Sequence, residues 1–313
     1  MNVLVTGAGG FVGRAVVAEL AAAGHSVQAL ARPRRDGPAP APAPGIARLH
    51  YADIGDAAAL AQACAGVGTV VHLVGIISEV GRNTFERIHI EGTRQILAAA
   101  RAAGVGRFVH MSALGARPHA PARYHRSKWA AEELVRQSGL AWTIFRPSII
   151  YGPGDQFVNL FARLSRWSPI LPVMGSGRAL LQPIPVGDVA RCFARAVTEP
   201  RALGQSFDLA GPAALSFVAI LRTILAVTHR RRLLLHIPLP LARLQARVLE
   251  FLFDRVLHRP PPLNRDQLLM LQEDNVGDPR PAQELFGLLP VPFATGIGRY
   301  LASPRQGVGQ KNL

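Results

Sequence analysis

A tyrosine and a lysine lie four residues apart in the segment YHRSK at residues 124–128. Side chains at this spacing share one face of a helix, so we expect the Tyr124 phenol and the Lys128 ammonium to be neighbours. A nearby cation favours the phenolate and would lower the pKa of Tyr124. Tyr124 could then exchange a proton with a substrate oxygen. The alternative is a pair on a helix surface with no chemical role.

A glycine-rich loop follows the first apolar segment of the chain. Its candidate binding residues are Gly7, Gly9, Gly10, Phe11, Val12 and Gly13. The spacing GxxGxxG lets a backbone turn approach a pyrophosphate closely, and the last glycine lets helix and strand pack tightly. The loop lies between a predicted strand and a predicted helix, whose free N–H groups would face the phosphates. This context favours dinucleotide binding over an ordinary turn.

Arg32 follows the second predicted strand, at the position where an NAD site usually carries an acidic residue for the ribose hydroxyls. A guanidinium suits a 2′-phosphate, which an acid would repel. Arg34 and Arg35 come close behind. We therefore predict NADP as the cofactor, with NADPH preferred and NAD possible.

Asp53 and Ile54 follow a short predicted strand. Asp53 could accept a hydrogen bond from the adenine amino group of a dinucleotide. It could equally cap the helix predicted at residues 57–63, because aspartate is a preferred N-cap residue.

Apolar segments and alanine-rich segments alternate at the spacing of βαβ units. The predicted strands are 3–6, 27–31, 69–74, 107–111 and 142–145, and the predicted helices include 13–23, 91–103 and 128–138. The alternation predicts an α/β fold with a doubly wound parallel Rossmann sheet. We assign 1–151 and 186–210 to this domain. A smaller, mainly helical C-terminal lobe would comprise 152–185 and 211–313.

The composition limits the possible partners. The net charge of +15 would suit nucleic acid, but only two of the 35 cationic side chains are lysines, which indicates a bias toward arginine. No zinc spacing or helix-turn-helix pattern accompanies the charge, so no specific nucleic acid partner is predicted. Cys64 and Cys192 show no ligand spacing, so they are predicted to be buried apolar side chains, with no metal site. Without a signal peptide or a membrane span, the expected location is cytoplasmic.

The segment 241–258 is predicted to be an amphipathic helix. Its apolar stripe consists of Leu241, Leu244, Val248, Phe251 and Leu252, and its polar stripe of Arg243, Arg247, Glu250, Asp254 and His258. The favoured interpretation is that the apolar stripe covers the Rossmann core or a substrate cleft. Alternatively, this basic lobe contacts an anionic membrane, peripherally at its inner face, or a membrane-bound respiratory complex.

Several sequence motifs resemble a known superfamily. They are TGxxGxxG at 6–13, HLVG at 72–75, a serine at 112, YxxxK at 124–128 and RPxxxYGP at 146–153. Together they resemble the extended or atypical short-chain dehydrogenase/reductases. SALGA at 112–116, GPGDQFVNLFA at 152–162, QPIPVGDVA at 182–190 and PPLNRDQLLMLQEDN at 261–275 resemble bacterial relatives of the nucleotide-binding accessory subunit of respiratory complex I.

The resemblance implies a role for each matched position. The glycine loop would face the pyrophosphate, Arg32 the 2′-phosphate and Asp53 the adenine. Residues implied near the adenosine ribose are Leu73, Val74 and Gly75, and those near the nicotinamide are Tyr124, Lys128, Pro147, Ser148 and Ile149. Ser112 could take the role of the catalytic Ser or Thr of active relatives, because Ala113 and Leu114 stand where that residue usually lies. His89 likewise replaces a common asparagine.

Two functions follow from the resemblance. The first is an NAD(P)H-dependent oxidoreductase with an unidentified small-molecule substrate, an apolar carbonyl or quinone-related compound. The second is a non-catalytic scaffold or sensor that holds the dinucleotide and is linked to respiratory complex I assembly or quinone biosynthesis. The intact YxxxK pair favours the enzyme, whereas Ala113 and His89 favour the scaffold. The twelve positions from Ser112 to Tyr124 leave little loop for a nucleotide sugar, which argues against epimerase or dehydratase chemistry.

Overall fold

The computed structural model describes residues 1–32 and 44–301. The strands in these ranges are β1 (Asn2–Thr6), β2 (Ser26–Ala31), β3 (Ile46–Tyr51), β4 (Thr69–His72), β5 (Arg107–Met111), β6 (Ala141–Pro147), β7 (Ile150–Tyr151), β8 (Ile170–Met174), β9 (Leu180–Leu181), β10 (Ile184–Pro185), β11 (Gln205–Leu209), β12 (Leu215–Ser216) and β13 (Leu233–Ile237). The α-helices are α1 (Phe11–Ala22), α2 (Ala57–Cys64), α3 (Gly92–Ala102), α4 (Arg123–Arg136), α5 (Val158–Trp167), α6 (Val186–Ala196), α7 (Phe217–Val227), α8 (Leu239–Leu252), α9 (Arg265–Met270), α10 (Arg280–Phe286) and α11 (Phe293–Leu301).

Seven parallel strands form the main sheet, in the order β3-β2-β1-β4-β5-β6-β11. This arrangement confirms the predicted α/β fold. The strand order reverses between β1 and β4, and ligands of such sheets bind at the carboxyl ends of the strands at this switch point. The glycine loop follows β1 and therefore lies at that position.

Successive side chains of each strand point to opposite faces of the sheet, so each face carries its own apolar core. Val3 and Val5 pack with residues of α1 and α6, whereas Leu4 packs with residues of α2, α3 and α4. Helices thus cover both faces, as the doubly wound prediction requires. Cys192 belongs to the first core and Cys64 to the second, which confirms that both thiols are buried.

Helix α4 begins five residues before the predicted start at 128. The cause is a contact from far along the chain, because the Asp266 carboxylate accepts a hydrogen bond from the Arg123 backbone N–H at 3.0 Å. Helix α4 is also fixed to the sheet, since the buried Glu132 accepts two hydrogen bonds from Arg146 on β6. The third helical segment also begins before its predicted start at 91, because a π-helical turn, Glu86–Glu91, precedes α3.

The C-terminal elements build further cores beside the main sheet. Side chains of α5, α7 and α11 surround Phe217 and Tyr151, and α8 packs through Ala242 and Ala246 against Met174 and Ile237. None of the helices in the described residues is both long enough and apolar enough to span a bilayer.

The predicted apolar stripe on α8 does not cover the Rossmann core. Leu241, Leu244, Val248, Phe251 and Leu252 are each 44–64% exposed. The interpretation that this stripe covers the Rossmann core is therefore wrong. Helix α8 buries the face that carries Ala242 and Ala246 because two small side chains let its backbone approach the neighbouring elements closely.

Candidate functional site

The glycine loop has the geometry of a phosphate-binding turn. Gly7 adopts a φ of +74°, which side-chain-bearing residues rarely do. A Cβ atom at Gly13 would lie 2.2 Å from the Gly7 carbonyl oxygen, so only glycine allows α1 to approach β1 this closely. Around Gly9, by contrast, no atom lies within 4 Å of a Cβ position among the described residues. The loop thus presents backbone to an open space at the N-terminus of α1, where an anion would bind.

The segment after β4 lies against the glycine loop. A Cβ at Gly7 would lie 3.2 Å from the Leu73 carbonyl carbon and from the Val74 nitrogen, so Leu73 and Val74 line the loop directly. Two residues further along, a Cβ at Gly75 would lie 3.4 Å from His89 Nε2 and 3.8 Å from Lys128 Nζ. The backbone from Leu73 to Gly75 therefore connects the glycine loop to the Tyr124 and Lys128 region.

Tyr124 and Lys128 share one face of α4, as predicted. The Lys128 ammonium is buried and donates a 2.6 Å hydrogen bond to the Met111 carbonyl at the end of β5. Burial lowers the pKa of Lys128 to about 8. The predicted lowering of the Tyr124 pKa is wrong, because burial of the phenol instead raises that pKa to about 12.

Ser112 follows β5, one residue beyond the carbonyl that Lys128 contacts. Its side chain is 2% exposed. Ala113 and Leu114 are also buried. The three predicted catalytic residues therefore gather at the ends of β5 and α4, and Ser112 and Lys128 are each 2% exposed.

His89 holds this region together, although in the sequence it stands out only as a departure from the family pattern. Its Nε2 atom accepts a hydrogen bond from the Ile76 backbone N–H at 3.0 Å. That contact leaves the proton on Nδ1, which lies 2.7 Å from the Ser127 hydroxyl. Ser127 in turn donates to the Tyr124 carbonyl at 2.7 Å. Burial, and then the Lys128 charge, hold the pKa of His89 well below its usual value, so the ring is neutral.

Asp53 and Ile54 lie at the other end of the site. Asp53 Oδ1 accepts hydrogen bonds from the Gly55 N–H and from Arg87, at 2.9 and 2.8 Å. The alternative role of Asp53 as a helix cap is wrong, because Asp56 caps α2 through the Ala59 N–H. Ile54 is buried. A cavity of 690 Å³ opens beside Asp53, and its lining includes Arg82, Arg87, Glu91 and Gln95.

Arg32 lies directly after β2 and is exposed. Arg34 and Arg35 lie outside the described residues.

The segment from Pro147 to Ile149 is fixed by neighbouring loops and by the C-terminal region. The Pro147 carbonyl accepts from the Leu114 N–H, and the Ile149 carbonyl accepts from the Ile184 N–H, both at 2.9 Å. The Ser148 hydroxyl donates to the Asn275 side chain at 2.6 Å. Sequence reasoning did not single out Asn275. The only signal for this residue was its place at the end of the motif at 261–275.

A glycine loop at the switch point of a parallel sheet, facing a helix with YxxxK, defines the class of Rossmann-fold dinucleotide-binding proteins of the short-chain dehydrogenase/reductase type. The chain belongs to the NAD dependent epimerase/dehydratase family, which matches residues 3–210.

Related proteins of known sequence differ in what they do. The chain is 33% identical over 192 residues to the rat (Rattus norvegicus) mitochondrial NADH dehydrogenase [ubiquinone] 1 alpha subcomplex subunit 9, an alignment that covers 61% of this chain and 50% of the relative. It is 28% identical over 281 residues to the Arabidopsis thaliana subunit of the same name, covering 87% and 70%. It is 38% identical over 173 residues to a ceramide reductase of Caulobacter vibrioides, covering 55% and 53%. The chain thus spans about half the length of the rat and Caulobacter relatives.

Solved structures share the fold. A UDP-glucose 4-epimerase from Thermotoga maritima, solved with UDP-glucose, superimposes with a TM-score of 0.74 at 20% identity, covering 96% of this chain and 98% of that one. A dTDP-glucose 4,6-dehydratase from Streptomyces venezuelae, solved with NAD, gives a TM-score of 0.72 at 23% identity, covering 96% of both chains.

Proposed function

We propose that the chain is an NAD(P)H-dependent oxidoreductase that reduces an apolar carbonyl or quinone-related compound. The observation that carries the proposal is the convergence of Tyr124, Lys128 and His89 at the carboxyl ends of β4 and β5, next to the glycine loop. The similarity to a ceramide reductase supports an apolar substrate.

The glycine loop fits a pyrophosphate, because Gly9 faces open space and Gly7 and Gly13 bring backbone atoms close together. In the proposed complex, residues 7–13 hold the pyrophosphate, Asp53 and Ile54 the adenine, and Leu73 to Gly75 the adenosine ribose. Lys128 and the segment from Pro147 to Ile149 surround the nicotinamide. When bound, the reduced nicotinamide supplies the hydride.

In the proposed reduction, Tyr124 donates the proton. The high pKa of its phenol keeps it protonated at neutral pH, so it can give a proton to the substrate oxygen as hydride reaches the carbonyl carbon. With an aldehyde or ketone as substrate the product is an alcohol, and Tyr124 regains its proton from water. Lys128 and His89 position the tyrosine and its substrate. Ser112 could reach the substrate oxygen only if its enclosure opened, so we assign it a supporting role.

The first test follows NADPH absorbance while quinones and apolar aldehydes or ketones are offered to the purified chain. We expect Tyr124→Phe to lower the turnover rate by about 100-fold with little change in NADPH affinity. Tyr151→Phe is a matched control, because the Tyr151 hydroxyl is buried without a partner in the described part of the chain. If Tyr124→Phe and Tyr151→Phe both turn over at the wild-type rate, Tyr124 is not the proton donor.

A second candidate function is a non-catalytic scaffold or sensor of respiratory complex I assembly or quinone biosynthesis. It is favoured by the buried Ala113 and Leu114, which provide no hydroxyl, and by the similarity to a subunit of NADH dehydrogenase. NADPH that stays bound and unconsumed across the substrate panel, in wild type and in Tyr124→Phe alike, would favour this function over the reductase.

We propose NADPH as the preferred cofactor because Arg32 is exposed at the end of β2. Arg32→Glu should lower the ratio of NADPH to NADH affinity by about 10- to 100-fold, since it removes a charge-assisted hydrogen bond to the 2′-phosphate. Calorimetric titration with both dinucleotides measures that ratio. Arg101→Glu, on the exposed end of α3, is the charge-matched control. An unchanged ratio in Arg32→Glu would mean that Arg32 does not bind the 2′-phosphate.

We propose that the chain is located in the cytoplasm and binds peripherally to the inner face of the membrane. An apolar substrate would be concentrated in that membrane.

A further inference from the structure

A large exposed apolar surface lies on the C-terminal elements. We call it the apolar face, and its residues are Trp167, Ile170, Leu233, Leu235, Leu241, Leu244, Val248, Phe251, Leu252, Val256 and Leu257. Trp167 is 83% and Leu233 72% exposed. Soluble proteins seldom leave so many large apolar side chains together in water, and such patches usually mark a binding surface.

The parts of the apolar face adjoin one another. Leu233 pairs with Ile170 across the parallel strands β13 and β8, three residues after Trp167. Leu235 and Ile237 lie on the same face of β13 as Leu233, because side chains alternate along a strand. Ile237 packs against the alanines of α8. The strand part of the face therefore continues into the helix part.

On helix α8, the apolar face points away from the rest of the protein. Residues turn by about 100° each along a helix, so the five exposed apolar side chains from Leu241 to Leu252 occupy an arc of about 100°. The centre of this arc lies about 150° from that of Ala242 and Ala246, which face the protein. Arg243 and Arg247 lie at one flank of the arc. A helix with this distribution is typical of one that lies in a membrane interface.

The charges around the apolar face are mostly positive. Arg231, Arg243, Arg247, Arg255 and Arg259 are exposed. Within residues 1–32 and 44–301, none of these five arginines forms an ion pair. The nearby acids are already engaged, because Glu250 pairs with Arg265 and Asp254 accepts from the Gly81 N–H. The surface thus offers unpaired guanidinium groups beside apolar side chains.

We propose that the apolar face binds the surface of an anionic lipid bilayer. The leucines and Phe251 enter the boundary between headgroups and acyl chains, Trp167 lies at the headgroup level, and the arginines contact lipid phosphates. This binding is independent of the proposed reaction and can be tested without a substrate.

The proposed contact lies close to the candidate functional site. Asp254 is hydrogen-bonded to Gly81, and the Asn264 side chain donates to the Ile77 carbonyl and to Ser78, at 3.1 and 2.5 Å. These bonds join the apolar face to the loop that begins at Gly75, beside Lys128. A bilayer bound here would therefore lie near that site.

The experiment is co-sedimentation of the full chain with vesicles of phosphatidylcholine alone and with 30% phosphatidylglycerol, a composition chosen for about one anionic lipid in three. We expect binding only to the anionic vesicles. Leu244→Gln with Phe251→Gln should weaken it by about 10- to 100-fold, and Arg243→Gln with Arg247→Gln by about 30-fold. Leu289→Gln, at an 80% exposed position outside the apolar face, should bind as wild type does.

Three results would overturn the proposal. The first is no binding to anionic vesicles at low salt. The second is loss of binding only in the arginine variants, because a purely electrostatic contact would not use the apolar face. The third is a dimer in solution that the Leu244 and Phe251 changes dissociate, since the face would then be covered by a second copy. Circular dichroism of each variant checks that the fold is retained. We expect it to be retained because the substituted side chains are exposed.

Discussion

Lowering the pH from 7 to 5 should remove about 7 kcal/mol from the free energy of unfolding, because four histidines are buried in their neutral form. His72, His89 and His110 are each 1% exposed, and His125 is 4% exposed. Burial, and then the nearby Lys128 charge, lower the pKa of His72 to about 3 and hold that of His89 and His110 well below the usual value. Burial also lowers the pKa of His125 to about 4. Domains are commonly stable by about 5–15 kcal/mol, so the loss would bring the fold near its unfolding transition.

The sign follows from proton binding. In the unfolded chain a histidine protonates with a pKa of about 6.5. Below that pH the unfolded state binds protons that the folded state does not bind. The free energy of unfolding therefore has its full value above about pH 6.5 and falls as the pH drops toward the folded-state pKa. Each histidine then contributes a loss of somewhat less than 2 kcal/mol between pH 7 and pH 5.

His110 offers a sharp test of this prediction. Neither of its ring nitrogens has a hydrogen-bond partner among the described residues, and its ring stacks on His72 with centroids 5.5 Å apart. His110→Phe should therefore keep or increase stability at pH 7, because an unpaired polar group is replaced by an apolar ring. It should also lose about one quarter of the acid sensitivity, measured by urea unfolding at both pH values. The same change at the exposed His119 is the control, and an equal acid sensitivity in both variants would contradict the prediction.

The sequence was sufficient to predict the strands of the Rossmann part as far as β6 and the position of the glycine loop, but it did not predict β11, which completes the sheet. These features depend on local signals, namely short apolar segments and glycine spacing. The start of α4 depends on Asp266, and the position of Ser148 depends on Asn275, each more than 100 residues away. No local pattern contains such contacts, so these features became visible only in the structure.

Helix α8 shows a different limit. Its sequence contains an apolar stripe, but a stripe indicates only that the side chains avoid water, and it does not indicate what covers them. The face that packs on the protein is marked by Ala242 and Ala246, which carry little apolar surface. The prediction of the Tyr124 pKa was wrong for the same reason, because the sequence does not show what surrounds a side chain. The spacing to Lys128 was correct, but the extent of desolvation is a property of the tertiary fold.

Replacing Gly13 by alanine should destabilise the fold by about 3 kcal/mol or more and abolish dinucleotide binding. The new Cβ would lie 2.2 Å from the Gly7 carbonyl oxygen and 2.8 Å from the Ala8 Cα. Both are backbone atoms of the loop between β1 and α1, so no side chain can rotate to relieve the overlap. The helix must instead move away from β1, which displaces the N–H groups of its first turn.

Gly9→Ala separates this steric effect from binding, because the same methyl group there meets nothing within 4 Å among the described residues. We expect the free energy of unfolding of Gly9→Ala to lie within about 0.5 kcal/mol of the wild-type value. Since Gly9 borders the space proposed for the pyrophosphate, its dinucleotide affinity should still fall. Urea unfolding and calorimetric titration of both variants give the two quantities separately. A Gly13→Ala chain as stable as Gly9→Ala would show that α1 can move from β1 without cost, and a Gly9→Ala chain that binds the dinucleotide normally would place the pyrophosphate away from this loop.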